Sequence, residues 1–141
     1  MILIANGMIA SGLDNCPGRL LITDRAIFVV KPTVSEKGAV AFFGLLGLLM
    51  AKLYGKMLAP EDGPGYLSDP DLAELSQRDR KSLMDTEMLV KYSISPALKV
   101  TPTTTGFMFE DGSTGTSYAG FMAKKKIGAA LRERGLLLQG A

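Results

Sequence analysis

Near the middle of this 141-residue chain lies an uninterrupted run of 14 residues with no charged or strongly polar side chain, Gly38–Ala51 (GAVAFFGLLGLLMA). The run continues through Lys52, Lys56 and Leu58 to a stop at Pro60, and its texture predicts one helix, roughly Lys37 to Leu58, about 30 Å long at 1.5 Å per residue. The uncharged part is shorter than the roughly 20 residues that span a bilayer. It is apolar all round, so a single sheet face cannot cover it. Gly47, Ala51 and Gly55 recur every fourth residue, with Gly44 nearby, and such a small-residue stripe lets another backbone approach closely. Each glycine costs about 1 kcal/mol relative to alanine inside a helix, so several in one helix point to a close contact that offsets the cost. Three environments fit this helix: the core of its own monomer, a second copy of the chain, or a membrane surface. Phe42 and Phe43 supply the bulk for the last of these. Lys37, Lys52 and Lys56 project to one side, as the solvated edge of a buried helix or as a contact to an anionic surface.

The flanks have a different texture. Met1 to Ala10 reads as a first strand, and without a basic leader region it reads as mature structure rather than a signal peptide. Ser11 to Gly18 (SGLDNCPG) is a dense turn cluster. Arg19 to Thr23 and Ala26 to Lys31 are short β-rich runs separated by Asp24-Arg25, which predicts a tight antiparallel hairpin ended by Pro32. Beyond the apolar run, Glu61 to Gly65 is a loop. Asp69-Pro70 has the form of a helix cap followed by proline at the first helical position, opening a short polar helix through Leu75. Gln77 to Lys81 (QRDRK) reads as a solvated face. Strands are expected at Met88 to Ile94, Leu98 to Thr101 and Gly106 to Glu110. Asp111-Gly112 signals a type I′ turn, from which Ser113 to Tyr118 returns. Phe121 to Arg134 is a final helix with Phe121, Met122, Ile127, Ala130 and Leu131 toward the core. Lys124, Lys125, Lys126 and Arg132 fall on its exposed faces, and Gly135 suits its C-terminal cap.

Composition narrows the chemistry. The chain contains no histidine and one cysteine, Cys16. The commonest general base and the commonest zinc ligand are therefore missing, and no Cys-His or Ser-His-Asp site can be built. A thiol-rich metal site fails for the same reason, and Cys16 reads as an inert loop residue. The glycine patterns lack the Lys-Ser/Thr of a phosphate loop. Neither catalysis, a metal nor a cofactor is expected. A net charge of +2 gives no concentrated basic face, so no nucleic acid is expected as a partner. Lys124 to Lys126 could meet an acidic partner, although three consecutive residues spread around a helix. The single cysteine fits a reducing compartment, and a cytoplasmic protein is expected.

Two stretches together resemble the bacterial PH-like and GRAM-like domains: Gly18 to Lys31, GRLLITDRAIFVVK, and Tyr92 to Arg134, which runs from YSISPALKV through GFMFEDGSTGTSY into a closing helix. The first is similar to the early hairpin of those families and the second to their last strands and helix, together about half the chain. The resemblance implies an α+β fold, a partly open antiparallel β-barrel of two packed sheets closed at one end by the last helix. The departure is a helical insertion over about 33–87, where the family has short connections. Members of these families bind phosphoinositides, peptides or proteins. The phosphoinositide-binding ones use clustered Lys and Arg at the first hairpin loop, where this chain has only Arg19 and the acid Asp14, so that activity is not carried over.

The expectation is thus one PH-like domain over 1–141 that acts as a non-catalytic interaction module. It self-associates through Phe42, Phe43, Gly44, Gly47, Ala51 and Gly55, and leaves room for an unidentified protein partner as well. The alternative is a domain peripheral to the membrane that inserts the same helix.

Overall fold

A computed structural model describes residues 2–12, 14–33, 64–120 and 122–137. Seven strands make one continuous antiparallel sheet: β1 (Leu3–Ser11), β2 (Asp14–Ile22), β3 (Ala26–Pro32), β4 (Thr86–Ser93), β5 (Lys99–Pro102), β6 (Gly106–Glu110) and β7 (Gly115–Ala119). Their spatial order is β4-β3-β2-β1-β7-β6-β5, so the sheet is open between β4 and β5. It is a single hydrogen-bonded sheet rather than the two separate sheets expected, because β1 pairs with both β2 and β7. The sheet curls on itself. Tyr92 on β4 stacks on Phe109 of β6 with ring centroids 6.3 Å apart, although four strands separate β4 from β6 in the sheet order. The Tyr92 hydroxyl also meets Thr116 Oγ1 of β7 at 2.6 Å.

The curl depends on two glycines that face each other, Gly7 and Gly18. A Cβ on Gly7 would strike the Tyr118 ring, and one on Gly18 would strike Ile9 and the Val30 carbonyl. Only a residue without a side chain lets the sheet bend this sharply there.

The expected hairpin forms with Leu20 opposite Val29 and Ile22 opposite Ile27. Thr23 closes it: its Oγ1 accepts from the N–H groups of Arg25 (3.1 Å) and Ala26 (2.9 Å). The turn cluster at Ser11–Gly18 is otherwise than the composition suggests. Pairing continues to Ser11↔Asp14, so most of the cluster is strand, and Cys16 lies in β2 opposite Ile9 rather than in a loop. Pro17 is tolerated because β3 pairs with β2 only from Arg19 onward, leaving that stretch of β2 as an edge. The expected type I′ turn is also replaced. Among the described residues no non-glycine has positive φ, and β6 and β7 are joined by the four residues Asp111–Thr114. Asp111 organises this link by accepting from the Thr114 and Ser113 N–H groups at 2.9 and 3.0 Å, which hold its pKa at about 2.

The helical parts among the described residues are short. Gly65–Ser68 and Pro70–Leu72 are 3₁₀ turns, the second at the start of the short polar helix expected through Leu75 and ending before it. Asp69 caps it by accepting from Asp71 N–H at 2.9 Å. Gln77–Ser82, α1, is capped by Ser76. Its face is mostly solvated, but Arg80 turns inward and donates to the carbonyls of Leu67 (2.9 Å) and Leu72 (2.7 Å). The last helix, α2 (Lys124–Glu133), buries Ile127, Ala130 and Leu131. Gly135 ends it at φ +73°: Leu136 N–H bonds Leu131 O and Gly135 N–H bonds Arg132 O, a Schellman cap. Met122 does not join the core but is 92% exposed. It precedes the helix, so the helical phase that would turn it inward does not apply.

Two apolar clusters result. The inner one fills the curled sheet with Ile9, Leu20, Ile22, Ile27, Val29, Tyr92, Phe107, Phe109, Tyr118 and the buried face of α2. The outer one lies on the opposite face of β2 and β3, where Leu21, Phe28 and Val30 meet Leu67, Leu72, Leu75 and Leu83. All five residues of Ala26–Val30 are consequently 0% exposed, which is why β3 reads as an unbroken apolar run rather than an alternating one.

Candidate functional site

The registers place three connections at one end of the curled sheet. Ser11↔Asp14 closes β1–β2 there, Glu110↔Gly115 closes β6–β7, and Pro32↔Thr86 marks where β3 and β4 part. The other end carries α2. Arg134 donates to Thr23 O at 2.7 Å and pairs with Asp24 at 3.1 Å. Lys124, expected on an exposed face, donates to the carbonyls of Thr103 (2.6 Å) and Thr104 (3.2 Å). The fold therefore has one end tied shut by α2 and one end made of connections.

At the second end the sheet splits. The β2–β3 ladder stops at Arg19↔Val30, while β2 continues with β1 and β3 continues with β4. Between the two arms lies a cleft of 430 Å³, lined among others by Asn6, Arg19, Val30, Lys31, Asp85 and Thr86. Its polar groups are largely engaged. Arg19 Nη1 donates to Ser82 O at 2.9 Å, and Lys31 pairs with Glu87 at 3.5 Å. Thr33 donates to Asp85 O from both N–H (2.9 Å) and Oγ1 (3.1 Å). Tyr66 OH meets Thr86 Oγ1 at 2.6 Å. Burial raises the Tyr66 pKa, with the Thr86 hydrogen bond and the Arg19 charge opposing it.

A second cluster fixes the segment after Pro64 onto the sheet. Lys91 Nζ on β4 reaches Asp69 Oδ2 at 2.9 Å and Asp71 Oδ2 at 3.0 Å, and stands 5.2 Å from the centre of the Phe28 ring. The Lys91 hydrogen bond lowers the Asp69 pKa, helped by the Asp71 N–H, and the two carboxylates raise that of Lys91. The described chain thus stops at Thr33, bonded to Asp85, and resumes at Pro64, followed by the residues that Tyr66–Thr86 and Lys91–Asp69 tie down.

Of the residues singled out in the sequence, Phe42, Phe43, Gly44, Gly47, Ala51 and Gly55 lie outside the described residues, as do Lys37, Lys52, Lys56 and the helix expected over them. Cys16 is half-buried. Thr101–Thr105 forms the end of β5 and its link to β6. Sequence reading missed the Arg19–Ser82 contact and the Lys91–Asp69–Asp71 cluster. Their partners lie 63 and 22 residues apart for the hydrogen-bonded pairs, so no local spacing announces them. Among the described residues no group of His, Cys, Asp and Glu is placed to hold a metal ion, and no helix is long and apolar enough to cross a membrane.

The architecture defines the chain as an α+β protein built on an open, curled antiparallel sheet. No family model, curated protein or solved structure matches it.

Proposed function

We propose that this chain is a non-catalytic, PH-like interaction module that self-associates through the apolar segment Gly38–Ala51. The PH-like reading is supported by the strand order, the opening between β4 and β5, and the closing helix at one end. The non-catalytic reading is supported by a sequence without histidine and with one cysteine. The contact reading rests on one observation. The inner cluster and the outer cluster are each built from described side chains, so both faces of the β2–β3 region already have their cover. Among the described residues only Met8, Met88 and Met122 are large hydrophobics left exposed, the first on β1, the second on β4 and the third just before α2. A 14-residue uncharged run finds little apolar surface there to bury against, and removing apolar area from water is worth about 25 cal/mol per Å². A second copy of the same segment supplies that surface, with Gly47, Ala51 and Gly55 as the close-packing stripe and a two-fold pair as the simplest closed arrangement.

Light scattering coupled to gel filtration tests this first. The wild type is expected to elute as an oligomer, and Gly47→Leu or Ala51→Leu to weaken assembly by inserting bulk where backbones approach. A clean monomer at high micromolar concentration would end the assembly reading. A monomer that pellets with anionic vesicles, and no longer does so as Phe42→Asp/Phe43→Asp, would replace it with insertion of this segment into a membrane surface.

A further inference from the structure

The chain holds one Asn-Gly step, Asn6-Gly7, and its other asparagine, Asn15, is followed by Cys16. Asn-Gly is the dipeptide most prone to lose side-chain ammonia, because glycine leaves the attacking backbone nitrogen unhindered. The Gly7 nitrogen bonds to the Asn6 side-chain carbonyl carbon, ammonia leaves, and a cyclic imide remains. Water then opens either imide carbonyl and yields isoaspartate or aspartate at residue 6. The Asn6 side chain is exposed and lines the cleft, so water reaches it. The backbone is what the fold restrains. On one side β1 is paired with β2 through Asn6↔Arg19 and Gly7↔Gly18. On the other side β7 joins β1 only from Met8, but Tyr118 OH donates to Asn6 O at 2.5 Å. A Cβ on Gly7 would strike both the Tyr118 ring and the Ala119 carbonyl oxygen, so the chain has no room to move that way. Imide closure must fold the chain back at Asn6 to bring the Gly7 nitrogen onto the side chain, and an extended strand held on both sides prevents it.

We propose that Asn6 is a deamidation site gated by the sheet: it forms isoaspartate only while β1 is detached, and the isoaspartate product does not regain the native register. Isoaspartate routes the main chain through its side-chain methylene, which lengthens β1 just before Gly7. Gly7 then falls out of step with Gly18, at the bend where the two glycines must face each other for the sheet to curl. Aspartate, the other product, leaves the backbone unchanged and puts a carboxylate at an exposed position opposite Arg19, so this chain closes again. Asn15 is an internal reference. It is exposed on β2, paired with Ala10, and the Cys16 side chain after it hinders the same ring closure. The gate makes some openings of β1 irreversible, and it concerns the inner cluster, to which β1 contributes Ala5 and Ile9, and not the outer cover.

Incubation of the full chain in mildly alkaline buffer, native and in guanidinium, followed by mass-spectrometric peptide mapping, tests the gate. In guanidinium Asn6 should convert while Asn15 stays largely intact. In native buffer Asn6 should convert about a hundredfold more slowly, as a reaction that waits for local opening does. Phe109→Ala, which loosens the inner cluster, should speed native conversion at least about tenfold, whereas Leu72→Ala, in the outer cluster, should change it by less than about twofold. If Phe109→Ala does not fold, the wild type in sub-denaturing guanidinium gives the same reading: conversion should rise in step with the loss of amide protection in β1. Gel filtration of the incubated native sample then separates the products. The native peak should contain aspartate at residue 6 and no isoaspartate there. Native conversion as fast as in guanidinium, equal acceleration by the two variants, conversion that does not follow β1 protection, or isoaspartate at residue 6 in the native peak would overturn the proposal.

Discussion

The inner and outer apolar clusters share strands β2 and β3 but are assembled differently. The inner cluster draws on strands from both halves of the curled sheet and on α2, and Tyr92, Phe109 and Tyr118 sit at its centre. Its polar atoms are satisfied from within: Tyr92 bonds Thr116, Thr116 Oγ1 bonds Ser11 Oγ at 3.1 Å, and Tyr118 donates to Asn6 O at 2.5 Å. The outer cluster is two-sided. One side is sheet, and the other is a run of short turns and one six-residue helix with little regular structure of its own. That run is held by its leucines, by Arg80 bridging two of its carbonyls, and by the Lys91 cluster. The comparison teaches that one sheet can serve as core for two units of unequal stability. Losing the inner cluster removes the fold. Losing the outer one is expected to remove a cover and leave the curled sheet in place.

The largest expected effect is therefore on the inside. Phe109→Ala should cost about 3–5 kcal/mol, because a fully buried ring stacked on Tyr92 leaves a cavity that surrounding strands cannot close. Chemical denaturation should show one transition at lower denaturant, and a variant as stable as the wild type would break the assignment of this cluster as the core. Leu72→Ala should cost about 2–4 kcal/mol, a smaller loss, and should act locally. Amide exchange should quicken across 64–85 while β6 and β7 keep their protection. Uniform loss of protection would show that the two clusters unfold as one and would erase the distinction drawn above.

The smallest effect concerns the ionic tie. Lys91→Met should destabilise by about 1 kcal/mol, because a pair this close to solvent is worth little and methionine can still cover Phe28. The pH dependence follows from the directions of the shifts. The Asp69 pKa is lowered from 3.8, so its contribution is present above that value and is lost as pH falls through the lowered one. The Lys91 pKa is raised from 10.5, so its contribution is present below that value and is lost as pH rises through the raised one. The difference in stability between wild type and Lys91→Met should therefore be flat around neutrality and shrink at both extremes. A difference that grows toward acid would contradict the role given to Asp69.

Much of the fold was legible because it rests on local pattern. The β2–β3 hairpin was readable from two apolar runs around Asp24-Arg25, β6 from the alternation of GFMFE, and the end of α2 from Gly135. The misreadings have a common cause. Gly, Pro, Asn and Asp at Ser11–Gly18 are turn signals by composition, yet pairing with β1 carries most of that stretch into a strand, and Pro17 is tolerated there because β3 pairs with β2 only from Arg19 onward. Met122 was assigned to the core by helical phase, but the helix begins after it. The candidate site was not legible: the cleft around Arg19 and the Lys91 cluster join residues 63 and 22 positions apart.

What the sequence by itself determined is the placement of most strands and the last helix, the lack of histidine, and the uninterrupted apolar run Gly38–Ala51. These follow from side-chain period, turn chemistry and composition, which act over a few residues. Only the tertiary structure decided that the sheet curls until Tyr92 meets Phe109, that β3 is buried on both faces, that the arms part beside Arg19, and that Lys91 holds two aspartates across Phe28. Each of these joins residues far apart in the chain, and such contacts arise only once the whole sheet has fixed its register and its bend.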